Sequence, residues 1–145
     1  MKLVPIVVAA LVAAVLAPAG TSERSAGRAA LTVHSSRYGK VLYDGRGFAL
    51  YAFTRDRRRS ACYGACAKAW PPYLARRGAL GVGRGVKRSL LGTVKRKNGR
   101  RQVTYAGRPL YYYVGDTRPR QILCQNVVEY GGTWLIVRPS GRLVR

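Results

Sequence analysis

Short apolar segments alternate with turns rich in glycine and polar residues along most of the chain, a pattern typical of β-strands joined by tight loops. In the first half, the strand-like segments are residues 31–33, 41–43 and 48–53. Residues 44–47, Asp-Gly-Arg-Gly, lie between the last two and tolerate the positive φ angles of a hairpin turn. Three short strands in succession predict an antiparallel meander.

The same order of elements recurs about sixty residues later in the chain. Residues 92–94 and 101–105 are strand-like, and the dipeptide Asn98-Gly99 between them is a strong signal for a hairpin turn. A second turn at residues 106–109 leads to a third strand-like segment, 110–113. The sequence therefore predicts that one three-stranded meander is duplicated within the chain.

Aligning the two halves superimposes a motif, Tyr-x-aromatic-x-x-Asp, that occurs once in each. Its residues are Tyr51, Phe53 and Asp56 in the first half and Tyr111, Tyr113 and Asp116 in the second. Each motif is followed, after an irregular segment, by a tryptophan, Trp70 in the first half and Trp134 in the second. These motif residues and tryptophans are the candidate site, either as scaffolding or as a binding surface.

The spacing of the motif predicts a structural role. Aromatic residues two positions apart project from the same face of a strand, and the residues facing the other way are Leu50, Ala52, Leu110 and Tyr112. Each motif aspartate follows a strand end, where its carboxylate can accept hydrogen bonds from backbone N–H groups of the next turn or from the arginines of segments 57–59 and 118–120. We favour packing in the core over the functional alternative, in which the aromatic face stacks sugar rings or a flat redox cofactor.

The fold class we expect is all-β, with the two meanders packed as one sandwich or barrel-like domain. Residues 133–137 form a continuous apolar run that indicates a central strand buried on both sides, and residues 143–144 indicate a short terminal strand. Pro71 and Pro72 cannot donate to a β-ladder, so the strand beside the first tryptophan is an edge strand or is absent. A short helical turn is expected within residues 61–69.

The composition also divides the chain into segments. Residues 31–74 form the first repeat and residues 90–145 the second, joined by a linker rich in glycine and arginine at 75–89. Residues 20–30 are small and polar, which predicts a flexible linker.

Residues 1–19 have the three parts of a secretory signal peptide. These are a positive end at Lys2, an apolar run at 3–16 and the small-residue site Ala-Pro-Ala at 17–19. We expect cleavage after Ala19, and the alternative is an uncleaved membrane anchor, for which the apolar run is short. No cysteine lies at this site, so we expect no lipid on an N-terminal cysteine.

Export to an oxidising compartment favours disulfides among the three cysteines. Our first choice is a bridge between Cys62 and Cys66, which closes a small ring before Trp70 and requires a non-helical stretch. Cys124 is then left over, either buried as a small hydrophobe or paired with one of the other two across the repeats. The sequence leaves these pairings open, and a Cu(I) site of three thiolates is the disfavoured metal alternative.

Together these residues resemble a known family. The two motifs, the segment Cys-Tyr-Gly-Ala-Cys at 62–66 leading to Trp-Pro-Pro at 70–72, and Gly-Gly-Thr-Trp at 131–134 are similar to the bacterial secreted-repeat lipoproteins of unknown function. The resemblance covers about residues 38–140 and implies an exported, envelope-associated protein with a duplicated β-rich unit, but no activity. The chain departs from the lipidated members in lacking a lipid-accepting cysteine, and Cys124 is not expected from the family pattern.

The charge and composition of the chain limit the kinds of catalysis that we expect of it. The 145 residues include 27 Lys and Arg, five Asp and Glu and one His, for a formal net charge of +22. So few acids and a single histidine leave little material for acid–base or metal catalysis. We expect His34 to be an exposed polar residue, and we predict no catalytic residues, no metal site and no cofactor.

The expected export of the protein changes which partners its positive charge predicts. The basic runs at 57–59, 76–77 and 95–97 lack the interleaved aromatic residues of a single-strand nucleic-acid platform, so we expect no nucleic-acid partner. The expected partners are anionic envelope polymers or lipid head groups, and the simpler alternative is a solvated arginine-rich face. We expect a monomeric, non-catalytic envelope protein; the alternative is a redox-linked accessory protein that handles a metal or electron carrier through its cysteines or its Tyr and Trp faces.

Overall fold

The structure, a computed structural model, describes residues 30–145, and within them eight short strands form three antiparallel sheets. The strands are β1 (Leu31–Ser36), β2 (Gly39–Asp44), β3 (Tyr51–Phe53), β4 (Leu91–Lys95), β5 (Arg101–Tyr105), β6 (Arg108–Pro109), β7 (Val127–Glu129) and β8 (Gly132–Ile136). A short helix, α1 (Ala65–Ala69), and a 3-10 turn (Arg88–Leu90) complete the regular elements of this part of the chain. The all-β class is confirmed, and α1 lies within the segment where the sequence predicts a helical turn.

The predicted signal peptide at 1–19 and all but the last residue of the predicted linker at 20–30 lie outside the described residues. Among the residues that are described, no helix is long and apolar enough to cross a membrane. Ala30, the first of them, donates its backbone N–H to the carbonyl of Gly81 (2.9 Å).

Each repeat begins with a hairpin, formed by β1 and β2 in the first repeat and by β4 and β5 in the second. Gly99 helps to close the second hairpin with a φ of +81°, a left-handed conformation that glycine adopts without steric cost. A third segment then returns along each hairpin. After β2, the N–H of Asp44 donates to the carbonyl of Phe48 (2.9 Å), and after β5 the short strand β6 pairs back onto it. The two meanders therefore follow the same order, as the sequence predicts.

The third strand of each meander is shorter than the sequence pattern predicts. In the first repeat, the predicted strand at 48–53 is reduced to β3 and a single bridge between Ala49 and Tyr43. In the second, the predicted strand at 110–113 is replaced by β6 and two isolated bridges at Tyr111, one to Tyr51 and one to Pro72. The reason is that both segments leave their own meander and pair across the repeats, a partnership that local alternation does not encode.

The two repeats are joined where these third segments meet. The backbone N–H of Tyr51 donates to the carbonyl of Tyr111, and the N–H of Tyr111 donates to the carbonyl of Tyr51, both over 2.9 Å. β3 then pairs with β8, which places Phe53 opposite Trp134. Because β7 flanks β8 on its other side, β8 is the central strand that the apolar run at 133–137 predicts.

Two predicted edge elements are reduced to bridges. The proline-containing segment after the first tryptophan forms no strand among the described residues, and it contributes only two bridges, from Pro72 to Tyr111 and from Leu74 to Gln102. The predicted terminal strand at 143–144 is a single bridge between Val137 and Leu143. The first result agrees with the missing N–H donors of the prolines.

The core has two clusters, one on each face of the motif segments. The first contains the motif aromatic residues, both tryptophans and the bridged cysteines. The second contains the residues that alternate with the motif aromatics, Leu50, Ala52 and Leu110, with Tyr112 packed against them. The two opposite faces that the two-residue period predicts are therefore confirmed.

The segment 75–89 between the repeats has exposed arginines and is attached to the fold at several points. Leu80 and Val86 pack against the second core cluster, and the N–H of Gly83 donates to the carbonyl of Leu31 (2.8 Å). This connecting segment therefore lies beside β1 over part of its length.

Candidate functional site

The tyrosine of each motif is hydrogen-bonded to the aspartate of the other motif. The Tyr51 hydroxyl donates to Oδ2 of Asp116 (2.6 Å), and the Tyr111 hydroxyl donates to Oδ2 of Asp56 (2.9 Å). Both tyrosines are completely buried. Neither repeat contains both partners of either pair, so each hydrogen bond joins one repeat to the other. We call these two hydrogen bonds, Tyr51–Asp116 and Tyr111–Asp56, the cross-lock.

The second oxygen of each carboxylate holds the turn that follows the motif. Oδ1 of Asp56 accepts the backbone N–H of Ala61 (2.7 Å), and Oδ1 of Asp116 accepts that of Leu123 (3.0 Å). These are the backbone hydrogen bonds that the sequence predicts for an aspartate after a strand end. Within residues 30–145, no hydrogen bond joins either carboxylate to the arginines of segments 57–59 and 118–120, so that alternative is not used.

The aromatic rings of the two motifs form one continuous stack. Its order is Phe53, Trp134, Trp70 and Tyr113, and the two indole rings have their centres 4.0 Å apart and their planes within 2° of parallel. Phe53 stacks on Trp134 at 4.1 Å, and Tyr113 packs against Trp70 at 4.7 Å. Each of these outer contacts again joins one repeat to the other.

The remaining motif tyrosines close the sides of the stack. Tyr51 meets Trp70 edge-on at 5.2 Å, and Tyr111 meets Trp134 edge-on at 5.1 Å. Both tryptophans have no exposed surface. Because neighbouring rings cover both faces of each indole, neither tryptophan offers an open platform for a sugar or a flat cofactor, and the structure supports packing in the core.

One of the two Tyr–Asp pairs lies in a polar network, which we call the Asp56 network: Asp56, Tyr111, Ser60, Arg96 and Gln102. The Ser60 and Tyr111 hydroxyls are 2.7 Å apart. Nη1 of Arg96 donates to Oγ of Ser60 (2.7 Å) and to Oε1 of Gln102 (2.7 Å), while Nη2 donates to the carbonyl of Cys62 (2.9 Å). Arg96 and Gln102 are buried, so this network places a positive charge inside the protein.

Burial dominates the ionisation of the Asp56 network. Burial raises the pKa of Asp56 to about 6, although the hydrogen bonds from Ala61 and Tyr111 and the charge of Arg96 favour the ionised carboxylate. Burial also raises the pKa of Tyr111, and the neighbouring carboxylate adds to that shift. The tyrosine therefore stays a hydrogen-bond donor at neutral pH.

The other pair, Tyr51 with Asp116, lies in more apolar surroundings; we call it the Asp116 pair. Ile122 precedes Leu123 as Ser60 precedes Ala61, so an apolar residue stands where the Asp56 network has a hydroxyl. Burial raises the pKa of Asp116, against the hydrogen bonds from Tyr51 and Leu123. No arginine lowers the pKa of Asp116 in the way that the charge of Arg96 lowers the pKa of Asp56.

The predicted bridge between Cys62 and Cys66 is confirmed, and Cys124 is a free, half-buried thiol packed against the aromatic cluster. Cys124 follows the residue whose N–H binds a motif aspartate, as Cys62 does in the first repeat. Four residues before the second tryptophan stands Tyr130, where the first repeat has Cys66. The second repeat thus retains one cysteine position without its partner. Counting along the sequence does not reveal this relation, because Cys62 lies six residues after Asp56 whereas Cys124 lies eight residues after Asp116; the hydrogen bonds of the two aspartates reveal it.

Other candidate groups serve the fold. His34 is half-buried beside Tyr43, with ring centres 5.7 Å apart, rather than the exposed residue we expect, and burial lowers its pKa. In the described part of the chain, His, Cys, Asp and Glu side chains do not gather in groups of three or more that could hold a metal ion. Sequence reasoning missed Arg96 because a basic run is normally solvent-exposed.

A family model described as a secreted repeat of unknown function matches residues 32–73 and 92–138. Each match begins in the first strand of a hairpin and ends just after a tryptophan of the stack, so the matches coincide with the two cross-locked repeats. No curated protein and no solved structure matches the chain. The family description gives the protein an extracytoplasmic location. The chain therefore belongs to the secreted-repeat family of unknown function, whose repeat it contains twice.

Proposed function

We propose that this protein is a non-catalytic module that rests on an anionic, phosphate-bearing surface of the cell envelope. The observation that carries the proposal is the position of its acidic residues. Of the five in the chain, Glu23 lies outside the described residues, and each of the other four accepts a hydrogen bond from another residue of the protein.

Two of these acids have been described in the cross-lock, and the other two are also engaged. Asp44 is buried and accepts hydrogen bonds from the backbone N–H groups of Arg46 (2.8 Å) and Phe48 (2.9 Å). Glu129 accepts the indole N–H of Trp70 (2.8 Å). Between Ala30 and the C-terminus, the ion pair of Arg46 with Asp44 is the only one formed. Apart from Arg46, the exposed Lys and Arg residues of this part of the chain are therefore not paired with an acid.

The basic surface of the protein should bind an anionic surface strongly. Each basic residue close to an anionic surface contributes about 1 kcal/mol, and this attraction falls off over a Debye length. Several exposed arginines, among them Arg57, Arg58 and Arg59, lie consecutively on one loop and can approach such a surface together. Binding of this kind needs no specific pocket, but it requires low screening by salt.

The motif residues support the non-catalytic part of the proposal. The hydroxyls of Tyr51 and Tyr111 donate to the motif carboxylates, and the rings of Tyr51, Phe53 and Tyr111 are buried. A redox-linked accessory role through the Tyr and Trp faces would require a ring face that a carrier can reach. Because the indole faces are covered by neighbouring rings, no specific observation favours that second function.

The proposal is tested by sedimentation of the protein with vesicles of phosphatidylglycerol, with vesicles of phosphatidylcholine and with isolated wall fragments. We expect retention on the two anionic materials at low salt and its loss at about 1 M salt, where the Debye length is about 3 Å. The two anionic arms distinguish a lipid source from a wall polymer. Equal retention at low and high salt, or equal retention on the neutral vesicles, would contradict the proposal.

A charge-reversing variant makes the test specific. Replacing Arg57 and Arg58 by Glu should weaken retention, because both side chains are exposed and form no hydrogen bond or ion pair within residues 30–145. The matched control replaces the same two residues by Lys, which keeps the charge, and should leave retention close to that of the unchanged protein.

A further inference from the structure

We infer that a cleft between two basic segments of this protein binds a phosphate group. The cleft, which we call the Tyr63 cleft, has a volume of about 360 Å³ and is lined by Arg59, Ser60, Tyr63 and residues 94–97. Its lining contains Arg59, Lys95, Arg96 and Lys97 and no acidic residue. In sequence these cations belong to separate runs in different repeats, and only the fold brings them together.

The second hairpin positions the cleft. At its turn, the N–H of Arg96 donates to the carbonyl of Arg100 (2.8 Å), and the N–H of Gly99 donates back to the carbonyl of Arg96 (2.9 Å). The N–H of the next residue, Lys97, donates to the Tyr63 hydroxyl (3.3 Å). The hairpin turn is thereby attached to the loop of the first repeat that carries the disulfide.

Two positive charges lie close to the ring of Tyr63. The Arg96 guanidinium is 4.4 Å from the centre of the Tyr63 ring, and the Lys97 ammonium is 5.0 Å from it. These cation–π contacts hold both side chains at the cleft wall. The Tyr63 hydroxyl accepts the Lys97 N–H and keeps its own hydrogen free for donation.

Arg96 provides the strongest argument for an anion. It is 5% exposed, and three of its five N–H donors are used by Ser60, Gln102 and the carbonyl of Cys62. Among the described residues no carboxylate forms an ion pair with it, and Asp56 is linked to it only through Tyr111 and Ser60. A buried guanidinium without a contacting anion is costly, so an oxyanion in the cleft would offset that cost.

The donor set suits phosphate chemistry. A guanidinium presents two parallel N–H groups to an oxyanion, and lysines add point charges around it. The inference rests on the proposed function in one respect: it names phosphate as the chemical group that the protein recognises on the envelope surface. The site itself is supported by the geometry of the Tyr63 cleft. A lipid head group and a phosphate-bearing wall polymer both present this group.

The test is an NMR titration of the full exported protein with inorganic phosphate, at constant ionic strength maintained with chloride. We expect saturable shifts of the Arg96 Nε–H and the Lys97 amide resonances. The variant Arg59→Ala/Lys97→Ala removes two cations of the cleft without touching the Asp56 network, and it should weaken phosphate binding about tenfold or more. The control variant Lys40→Ala/Arg84→Ala makes the same charge change outside the cleft and should bind phosphate normally.

Two further arms identify the source of the phosphate. Glycerol phosphate and vesicles of phosphatidylglycerol are added separately, and the one that perturbs the Lys97 amide at lower concentration is the better mimic of the natural ligand. Shifts that are linear in phosphate concentration, or that weaken equally in both double variants, would overturn the cleft site.

The outcome for the cleft is separable from the outcome for the surface. If phosphate shifts are absent while salt-dependent retention on anionic vesicles persists, the cleft inference is wrong and the proposed function stands on overall charge. If the cleft binds phosphate while retention is absent or independent of salt, the proposed function is wrong and the cleft site stands alone.

Discussion

The two Tyr–Asp pairs of the cross-lock have the same hydrogen-bond geometry but lie in different surroundings. Around Asp56 the protein provides a hydroxyl, an amide and the buried guanidinium of Arg96. Around Asp116 the corresponding space is apolar, with Ile122 in the position of Ser60 and a free thiol nearby at Cys124. The comparison separates what the duplicated motif requires, which is the cross-lock itself, from what each repeat has acquired independently.

The cross-lock, which both repeats share, makes the stability of each repeat depend on the other. A buried hydrogen bond to a charged group contributes about 1.5–3 kcal/mol, and leaving its partner unsatisfied costs a similar amount. Because each tyrosine finds its aspartate only in the other repeat, an isolated repeat would lose both hydrogen bonds and expose the groups that make them. The duplicated unit is therefore stable as a pair, and the ring stack reinforces the same dependence.

The largest effect is expected in the part that the two repeats share. Trp70→Ala and Trp134→Ala should each lower the free energy of unfolding by about 3–5 kcal/mol, because each removes a fully buried ring from the centre of the stack. Denaturant unfolding measures both, with the exposed Tyr130→Ala as control, expected within about 0.5 kcal/mol of the unchanged protein. A large loss at one tryptophan and none at the other would contradict a shared stack.

The next effect distinguishes the two pairs. Arg96→Met should destabilise the protein by about 3 kcal/mol, because it leaves Ser60, Gln102 and the carbonyl of Cys62 without their buried donor and removes the positive charge near Asp56. Adding Asp56→Asn should recover part of that loss, since the unpaired carboxylate charge is removed. A double-mutant cycle on the free energy of unfolding measures the coupling, and strictly additive losses would show that Arg96 and Asp56 act independently.

A smaller effect compares the two tyrosines directly. Tyr51→Phe should cost about 2 kcal/mol and Tyr111→Phe about 1 kcal/mol. The difference arises because Asp116 keeps only the N–H of Leu123 in apolar surroundings, whereas Asp56 keeps the N–H of Ala61 and the charge of Arg96. Thermal unfolding of the two variants gives the order, and the reverse order would contradict the assignment of the polar network to Asp56.

The smallest effect is a dependence on pH. The folded-state pKa of Asp56 is about 6, above the ordinary value of 3.8, so folding favours the protonated acid. The stabilisation is complete below the unfolded pKa and is lost as the pH rises through about 6, which amounts to about 1 kcal/mol between about pH 5 and pH 7. Urea unfolding across this range should show greater stability at the lower pH, and Asp56→Asn should reduce the slope. An unchanged slope in that variant would assign the dependence to other groups, among them Asp116, whose pKa is also raised.

Local features of the sequence were sufficient to predict much of the fold. The hairpins, the order of the meanders, the helical turn and the two faces of the motif follow from the two-residue period, the turn residues and the internal duplication. The bridge between Cys62 and Cys66 follows from their short separation and the exported context. All of these depend on residues that are close together in the chain or on a comparison of one half with the other.

Only the tertiary structure decided which residues of one repeat meet those of the other. It shortened the third strands, paired Tyr51 with Asp116 instead of its own aspartate, buried Arg96 from within an otherwise exposed basic run, and brought Arg59 to Lys97 across the Tyr63 cleft. Alternation and turn residues determine which face of a strand a side chain occupies. They do not determine how two similar faces dock, because that depends on the free energy of packing and of satisfying buried polar groups over the whole molecule.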